Sequence, residues 1–253
     1  MEDPVIERLL KHAKECFKNT EYEKSQELYS QVLLFDQKNS SAYNGLGNIL
    51  LKLSRYSEAL VEYDKAVRFD SENPKPHYNR GIALGNIGRK HEAIYEFETV
   101  IDLNEKDVLD YPRNSDVYYN IGVLSTDLEW YEEALNAYNK AIELNQNDDT
   151  IYTGKGVVLE KMRQYEEALE NFNAAIKLNP NNTVAYTNKG IVLGRMEKYQ
   201  EALEQFNATL NIDSTNEEAD HNKKLVVEKI NANEQREQEF RINSPVSAAM
   251  LNL

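Results

Sequence analysis

The feature that most constrains this chain is a self-similarity at 34 residues: Gly47, Gly81, Gly122, Gly156 and Gly190 recur at spacings of 34, 41, 34 and 34. A period of this length marks a stack of small supersecondary units, none of which buries its apolar face without a neighbour. Twelve residues after each glycine stands an alanine (Ala59, Ala93, Ala134, Ala168, Ala202), and four further on a ring (Tyr63, Phe97, Tyr138, Phe172, Phe206). Three more residues lead to Ala66, Val100, Ala141, Ala175 and Thr209. Offsets of four and three place small residue, ring and small residue on one helical face, so each ring is flanked by points where another backbone comes close. That face has to be buried. Between the units lie LFDQKNSS, RFDSENPKP, ELNQNDD, KLNPNN and NIDSTN, whose Asn, Asp, Ser and Pro residues stop one helix and cap the next.

The pattern resembles the tetratricopeptide repeat, which runs aromatic-x-x-Leu-Gly, then Tyr, Ala, aromatic, Ala and Pro across two antiparallel helices. Blocks such as AYNGLGNILLKLSRYSEALVEYDKAV and VYYNIGVLSTDLEWYEEALNAYNKAIELN carry the resemblance. It implies an all-α fold, a right-handed α-solenoid of six helix pairs at 6–39, 40–73, 74–114, 115–148, 149–182 and 183–216. Repeat one is degenerate, with Ala13 for glycine and Ser25 for the first alanine, but it keeps Tyr29 and Val32. Lys90 replaces the usual tyrosine of repeat three, and only Pro180 fills the proline place. A capping helix is expected at 217–240, because Ala219, Val226 and Ile230 form one apolar stripe and NANEQREQE after it has little to bury. Residues 1–240 thus read as a single solenoid and 241–253 as a flexible tail. At the other end, Asp3 before Pro4 is a helix start, with a capping acid ahead of proline at the first helical position.

Three features break the period. The step of 41 adds seven residues, placed in EKDVLDYPRN at 105–114, where Pro112 limits helical extension. A tolerated surface insertion is expected there, with a partner contact through Leu109 and Tyr111 as the alternative. Trp130, the only tryptophan, falls in the turn between the helices of repeat four, either packed on the insertion or anchoring an interface. The tail RINSPVSAAMLNL reads as disordered, or else docks Met250, Leu251 and Leu253 into a groove.

Composition excludes several classes of function. With 43 acidic and 29 basic residues the chain carries −14, which repels a phosphate backbone, so nucleic acid is not an expected partner. Cys16 stands alone, which rules out an intramolecular disulfide or a Cys-pair zinc site and suits a reducing compartment. No apolar run approaches the roughly 18 residues of a membrane span, and MEDPVIERLLKHAKE lacks the character of a secretory signal. The expected location is cytoplasmic, with no membrane partner, and the Asn-x-Ser/Thr matches at Asn39, Asn181 and Asn207 read as chance. His12, His77, His91 and His221 are isolated, no phosphate-cradling glycine loop is present, and Glu132-Glu133 and Glu166-Glu167 sit where a helix dipole favours acids. No enzyme activity, catalytic residue, cofactor or metal is expected, and Cys16 reads as a core residue.

The resemblance implies that the first helices of successive repeats line a concave groove through places two, five, six, nine, twelve and thirteen. These map to Ser41, Asn44 and Asn48 in repeat two, Lys75, Tyr78, Asn79 and Ile82 in repeat three, and Asp116, Tyr119, Asn120 and Val123 in repeat four. Repeats five and six contribute Thr150, Thr153, Val157, Thr187, Asn188 and Ile191. Asn79, Asn120 and Asn188 share the sixth place, where an amide can grip an extended main chain, and Gly154 interrupts the row. Tyr78, Tyr119, Ile82, Val123, Val157 and Ile191 form an apolar strip suited to a helix or hydrophobic peptide. One family subtype grips an acidic chaperone tail through Lys, Asn, Asn, Lys and Arg. Here those places hold Asn44, Asn48, Asn79, Asp116 and Asn120, or, one repeat earlier, Leu10, Lys14, Gly45, Lys75 and Asn79. No strong binding of an acidic chaperone C-terminal tail is therefore expected. The reading that results is a protein-protein adaptor that holds a peptide or helix of a partner in the groove. The alternative is a structural assembly subunit using its convex face, the insertion or the tail.

Overall fold

The computed structural model describes residues 3–107 and 112–243, and every regular element among them is a helix. The helices come in pairs: α1 (Pro4–Lys18) with α2 (Tyr22–Phe35), α3 (Ser40–Lys52) with α4 (Tyr56–Phe69), and α5 (Pro74–Asn86) with α6 (Lys90–Asp107). There follow α7 (Asn114–Asp127) with α8 (Tyr131–Leu144), α9 (Asp149–Lys161) with α10 (Tyr165–Leu178), α11 (Thr183–Arg195) with α12 (Tyr199–Ile212), and α13 (Glu217–Asn243). The result is an all-α solenoid of helix pairs with a terminal helix. Met1–Leu144 forms one compact unit and Asn145–Leu253 a second. Inside the first, α2 packs on α3, α4 on α5 and α6 on α7; inside the second, α10 packs on α11 and α12 on α13.

The recurring glycine makes room for the recurring ring. A Cβ at Gly47 would lie 2.5 Å from the Tyr63 ring, and one at Gly156 or Gly190 would lie 2.6 Å from Phe172 or Phe206. Gly81 and Gly122 stand in the same relation to Phe97 and Tyr138, at 2.8 Å. All five rings are buried. In repeat one the serine that replaces alanine is used, since Ser25 Oγ donates to the Ala13 carbonyl at 2.8 Å. The Tyr29 ring there lies against Gly45 of α3.

Each pair turns tightly. The first helix ends in a left-handed residue, and the amide of the next residue closes back on the helix, as in Glu21 N to Cys16 O (2.9 Å), Arg55 N to Leu50 O (2.9 Å) and Gln164 N to Leu159 O (2.8 Å). Glycine fills that left-handed place once, at Gly88 (φ 81°); Thr20, Ser54, Glu129, Arg163 and Glu197 hold φ of 57 to 63° there. Between repeats an Asn or Asp caps the next helix, as Asn39 does for α3, Asn73 for α5, Asp148 for α9 and Asn182 for α11. Asp3 caps α1 in the same way, accepting from Val5 N at 2.8 Å ahead of Pro4.

The insertion differs from expectation in its first part. Helix α6 has 18 residues where α4 and α8 have 14, so residues assigned to a loop continue the helix to Asp107. Glu105, Lys106 and Asp107 carry no helix-breaking chemistry, and proline disfavours helix mainly at the residue before it, too far along to stop α6 sooner. Buried Asn104 holds the neck, its Nδ2 donating to the Pro112 carbonyl (2.9 Å) and to Asn114 Oδ1 (2.7 Å). Leu109 and Tyr111 lie outside the described residues, as do Met250, Leu251 and Leu253. The terminal helix buries Ala219 and Val226 and packs Ile230 on the core of repeat six, while residues 233–239 are exposed.

Candidate functional site

In the first compact unit, the first helices α3, α5 and α7 carry the residues that the repeat places on the groove face. Asn44, Asn48, Tyr78, Asn79, Ile82, Tyr119, Asn120 and Val123 are all half-buried, and Ser41 and Lys75 are exposed. The rings are braced from below by the rings of the second helices: Tyr78 on Phe97 with centroids 5.6 Å apart, and Tyr119 on Tyr138 at 6.1 Å. Burial pushes the Tyr29 phenol up to about 12 and holds those of Tyr63 and Tyr138 higher still, so these hydroxyls stay neutral.

The amides at this face are tied to neighbouring side chains, an arrangement that place-by-place reading misses. Asn79 Nδ2 donates to Asn44 Oδ1 at 3.0 Å, linking α5 to α3. Asn120 Nδ2 donates to Tyr78 Oη (3.2 Å) and to its own helix at Asp116 O (2.8 Å), so Asn120 has its acceptor oxygen left for a ligand. Asn48 Oδ1 accepts from buried Tyr63 Oη at 2.8 Å, which leaves its Nδ2 group.

Two hollows open among these helices. A pocket of about 520 Å³ is lined by Lys14, Phe17 and Lys18 of α1, Asn44 and Asn48 of α3, and Lys75, Tyr78 and Asn79 of α5. A smaller hollow of about 220 Å³ lies between α5 and α7, over Gly81, Ile82, Gly85, Val123 and Leu124 with Phe97 and Asn120 at its wall. The first joins a cationic rim to aromatic surface; the second is of mixed character, with Asn86 and Asp127 beside its apolar residues. Convergence of Lys14 and Lys18 with Lys75 was not legible from single places, because it needs α1 and α5 to face across α3.

In the second unit, Asn188, Val157 and Ile191 are half-buried and Thr150 is exposed. Thr153 and Thr187 are 7% and 3% exposed and serve the packing. Thr153 Oγ1 donates to Asp149 O (2.8 Å) and accepts from Asn182 Nδ2 (3.0 Å), and Thr187 shares a 3.2 Å bond with Thr209. A short hydroxyl at the fifth place is drawn onto its own helix and its neighbour, so these two residues do not present a ligand-facing group. Asn188 Nδ2 likewise donates back to Val184 O at 2.9 Å.

One polar cluster escaped the sequence reading. His77 is buried, with Nδ1 2.8 Å from Glu96 Oε2 and Nε2 3.2 Å from Ser71 O. Glu96 Oε1 accepts from Arg80 Nη1 at 2.7 Å, and Arg80 Nε stands 2.8 Å from Asp64 Oδ1. The signal was available: His77 occupies the fourth place, where repeats two, four, five and six have Tyr43, Tyr118, Tyr152 and Tyr186. The cluster ties α4, α5 and α6 together. Trp130, 41% exposed, makes its ring contact with His91 at 5.1 Å. Among the described residues no group of three or more His, Cys, Asp or Glu is placed to hold a metal ion, and no helix is long and apolar enough to cross a membrane.

Comparison with known proteins agrees with this architecture. A family model described as TPR repeat matches residues 47–88 and 126–162, and models described as Tetratricopeptide repeat match 74–107, 150–182 and 171–204. No curated protein matches the chain. Among solved structures, YrrB, a TPR protein with an unusual peptide-binding site, is 26% identical with a TM-score of 0.62, covering 78% of this chain and 97% of its own. PilF of Pseudomonas aeruginosa (19%, TM-score 0.73, 86% of this chain and 96% of its own) shares the fold. So does MamA from Desulfovibrio magneticus RS-1 (22%, TM-score 0.62, 70% and 97%).

Proposed function

The chain belongs to the tetratricopeptide repeat family, and from that premise we propose that it is a non-catalytic adaptor which holds a peptide or helix of a partner protein on its first-helix face. The observation that carries this reading is the pair of hollows in the first compact unit, both lined mainly by first helices and separated by the Tyr78–Asn120 hydrogen bond. Tyr78, Asn79, Tyr119 and Asn120 are the central contacts, with Ile82 and Val123 receiving an apolar side chain. Rings already braced by Phe97 and Tyr138 lose little freedom on binding, which favours affinity. Asn188 and Ile191 offer a comparable, smaller face in the second unit. The peptide-binding site of YrrB supports a peptide as the class of ligand. The lone, buried Cys16 suits action in the reducing cytosol.

The test is the triple variant Asn79→Ala, Tyr119→Ala, Asn120→Ala, with circular dichroism confirming that its helices persist. Pull-down of an unchanged partner set would defeat the proposal. Exposed Leu34, Phe35, Val61 and Tyr95 on the second helices favour the assembly-subunit reading as the rival. Light scattering separates the two, since a stable oligomer independent of concentration supports the rival and a monomer the adaptor.

A further inference from the structure

The hollow of about 220 Å³ between α5 and α7 has an apolar floor of Ile82, Val123 and Leu124 and hydrogen-bond acceptors at both ends. At one end stands Asn120, whose Nδ2 hydrogens are spent on Tyr78 Oη and Asp116 O, so the amide presents only its oxygen. At the other end stand Asn86 and Asp127, the last residues of α5 and α7, where two helix dipoles turn their negative ends. Asn86 Nδ2 donates back to Ile82 O at 2.8 Å. No described Lys, Arg or His lines the hollow. Lys90, reaching over from α6, places its ammonium 3.1 Å from Asp127 Oδ2 and 3.5 Å from the Asp127 carbonyl. The end of α7 thus already attracts one ammonium, and the second carboxylate oxygen of Asp127 is left over.

We propose that this hollow takes a lysine side chain of the bound peptide, with its stem along Ile82 and Val123, its ammonium at Asp127 and its main-chain N–H on Asn120 Oδ1. The inference rests on the peptide-binding reading above and names one residue of the ligand. Seven residues of α7 separate Asn120 from Asp127, about 10 Å along the axis, a span that an extended four-carbon stem bridges with a hydrogen bond at each end. A long cationic side chain buries its stem on such a floor and keeps its head at the rim. Arginine fits less well, because its fork asks for both oxygens of a carboxylate and Lys90 holds one of them. A wholly apolar side chain fills the floor but brings nothing to Asp127. The formal charge of −14 on the chain favours the approach of a basic peptide.

The experiment uses the full chain and fluorescence anisotropy with short, terminally blocked peptides of one length, alike except for a central lysine, arginine or norleucine. The lysine peptide is expected to bind about fivefold more tightly than the norleucine peptide at low salt, with the gap closing as ionic strength rises. Methyl resonances of Ile82 and Val123 should shift as it binds, which places the side chain in this hollow. Asp127→Asn is expected to erase the gap and Lys90→Gln, which frees the other carboxylate oxygen, to widen it, both with the helical signal intact. Equal affinity for lysine and norleucine peptides would overturn the inference and leave peptide binding standing. So would a gap that survives Asp127→Asn, tighter binding of the arginine peptide, unmoved methyl resonances, or no binding of the lysine peptide. Failure of the adaptor reading is seen separately, in the partner pull-down of the Asn79, Tyr119, Asn120 variant.

Discussion

Two glycines four residues apart in α11 provide an internal control on why the repeat carries glycine at all. A Cβ added at Gly190 would fall 2.6 Å from Phe206 Cε1, whereas one at Gly194 meets nothing nearer than Val226 Cγ2 at 3.9 Å. Carbon atoms rest about 3.5–4.0 Å apart, so Gly190→Ala requires a shift of roughly 1 Å in a ring that is only 1% exposed. Overpacking of that kind costs about 1–3 kcal/mol. Alanine also favours a helix interior over glycine by about 1 kcal/mol. The sum is a net loss of about 1 kcal/mol for Gly190→Ala and a gain of up to about 1 kcal/mol for Gly194→Ala, a gap of about 2 kcal/mol. Urea denaturation of the full chain, followed by far-ultraviolet circular dichroism, should show the two midpoints moving in opposite directions at unchanged slope. In a Phe206→Leu background the Gly190→Ala penalty should shrink. If both alanines stabilise, or if the penalty ignores the ring at 206, the account of the repeat as glycine fitted to ring is wrong.

Glu96→Ala strips Arg80 and His77 of their shared partner in a buried setting and should lower stability by about 3 kcal/mol; thermal denaturation measures it, and Glu96→Gln should cost less. Asn104→Ala removes both bonds across the neck of the insertion, for a loss of about 1–2 kcal/mol and faster proteolytic nicking within 105–114. Arg163→Gly relieves a side chain held at φ 61° and should raise stability by about 1 kcal/mol, readable as a higher denaturation midpoint. The phenol of Tyr29 is pushed from 10.0 up to about 12 by burial. Its neutral form thus contributes stability that is complete below pH 10 and is lost as pH rises toward 12. Absorbance titration should show Tyr29, Tyr63 and Tyr138 ionising last, together with loss of helical signal; early ionisation of all tyrosines would contradict their burial.

The helix pairs and their seams were legible because they repeat. Gly47 with Tyr63 and Gly156 with Phe172 announce a close approach through spacing alone, and Asn39, Asn73 and Asn182 announce the caps. The extra turn of α6 was not legible, because Pro112 marks a boundary without saying how far back the helix stops. Thr153 and Thr187 were assigned to the groove by place, yet a hydroxyl near an open carbonyl and a neighbouring polar group turns toward them. His77 broke the tyrosine pattern visibly, but its meaning needed Arg80 and Glu96, which lie on different helices.

Local periodicity therefore determined which faces are apolar, where each helix begins and which family the chain joins, since these depend on residues within one or two turns of each other. The hydrogen-bonded amides of Asn44, Asn79 and Asn120 and the gathering of Lys14, Lys18 and Lys75 around one pocket belong to the tertiary structure. They arise where three separate first helices face one another, at separations of tens of residues that no sequence window spans, and the direction in which each polar atom points is decided only by what its neighbours leave unpaired.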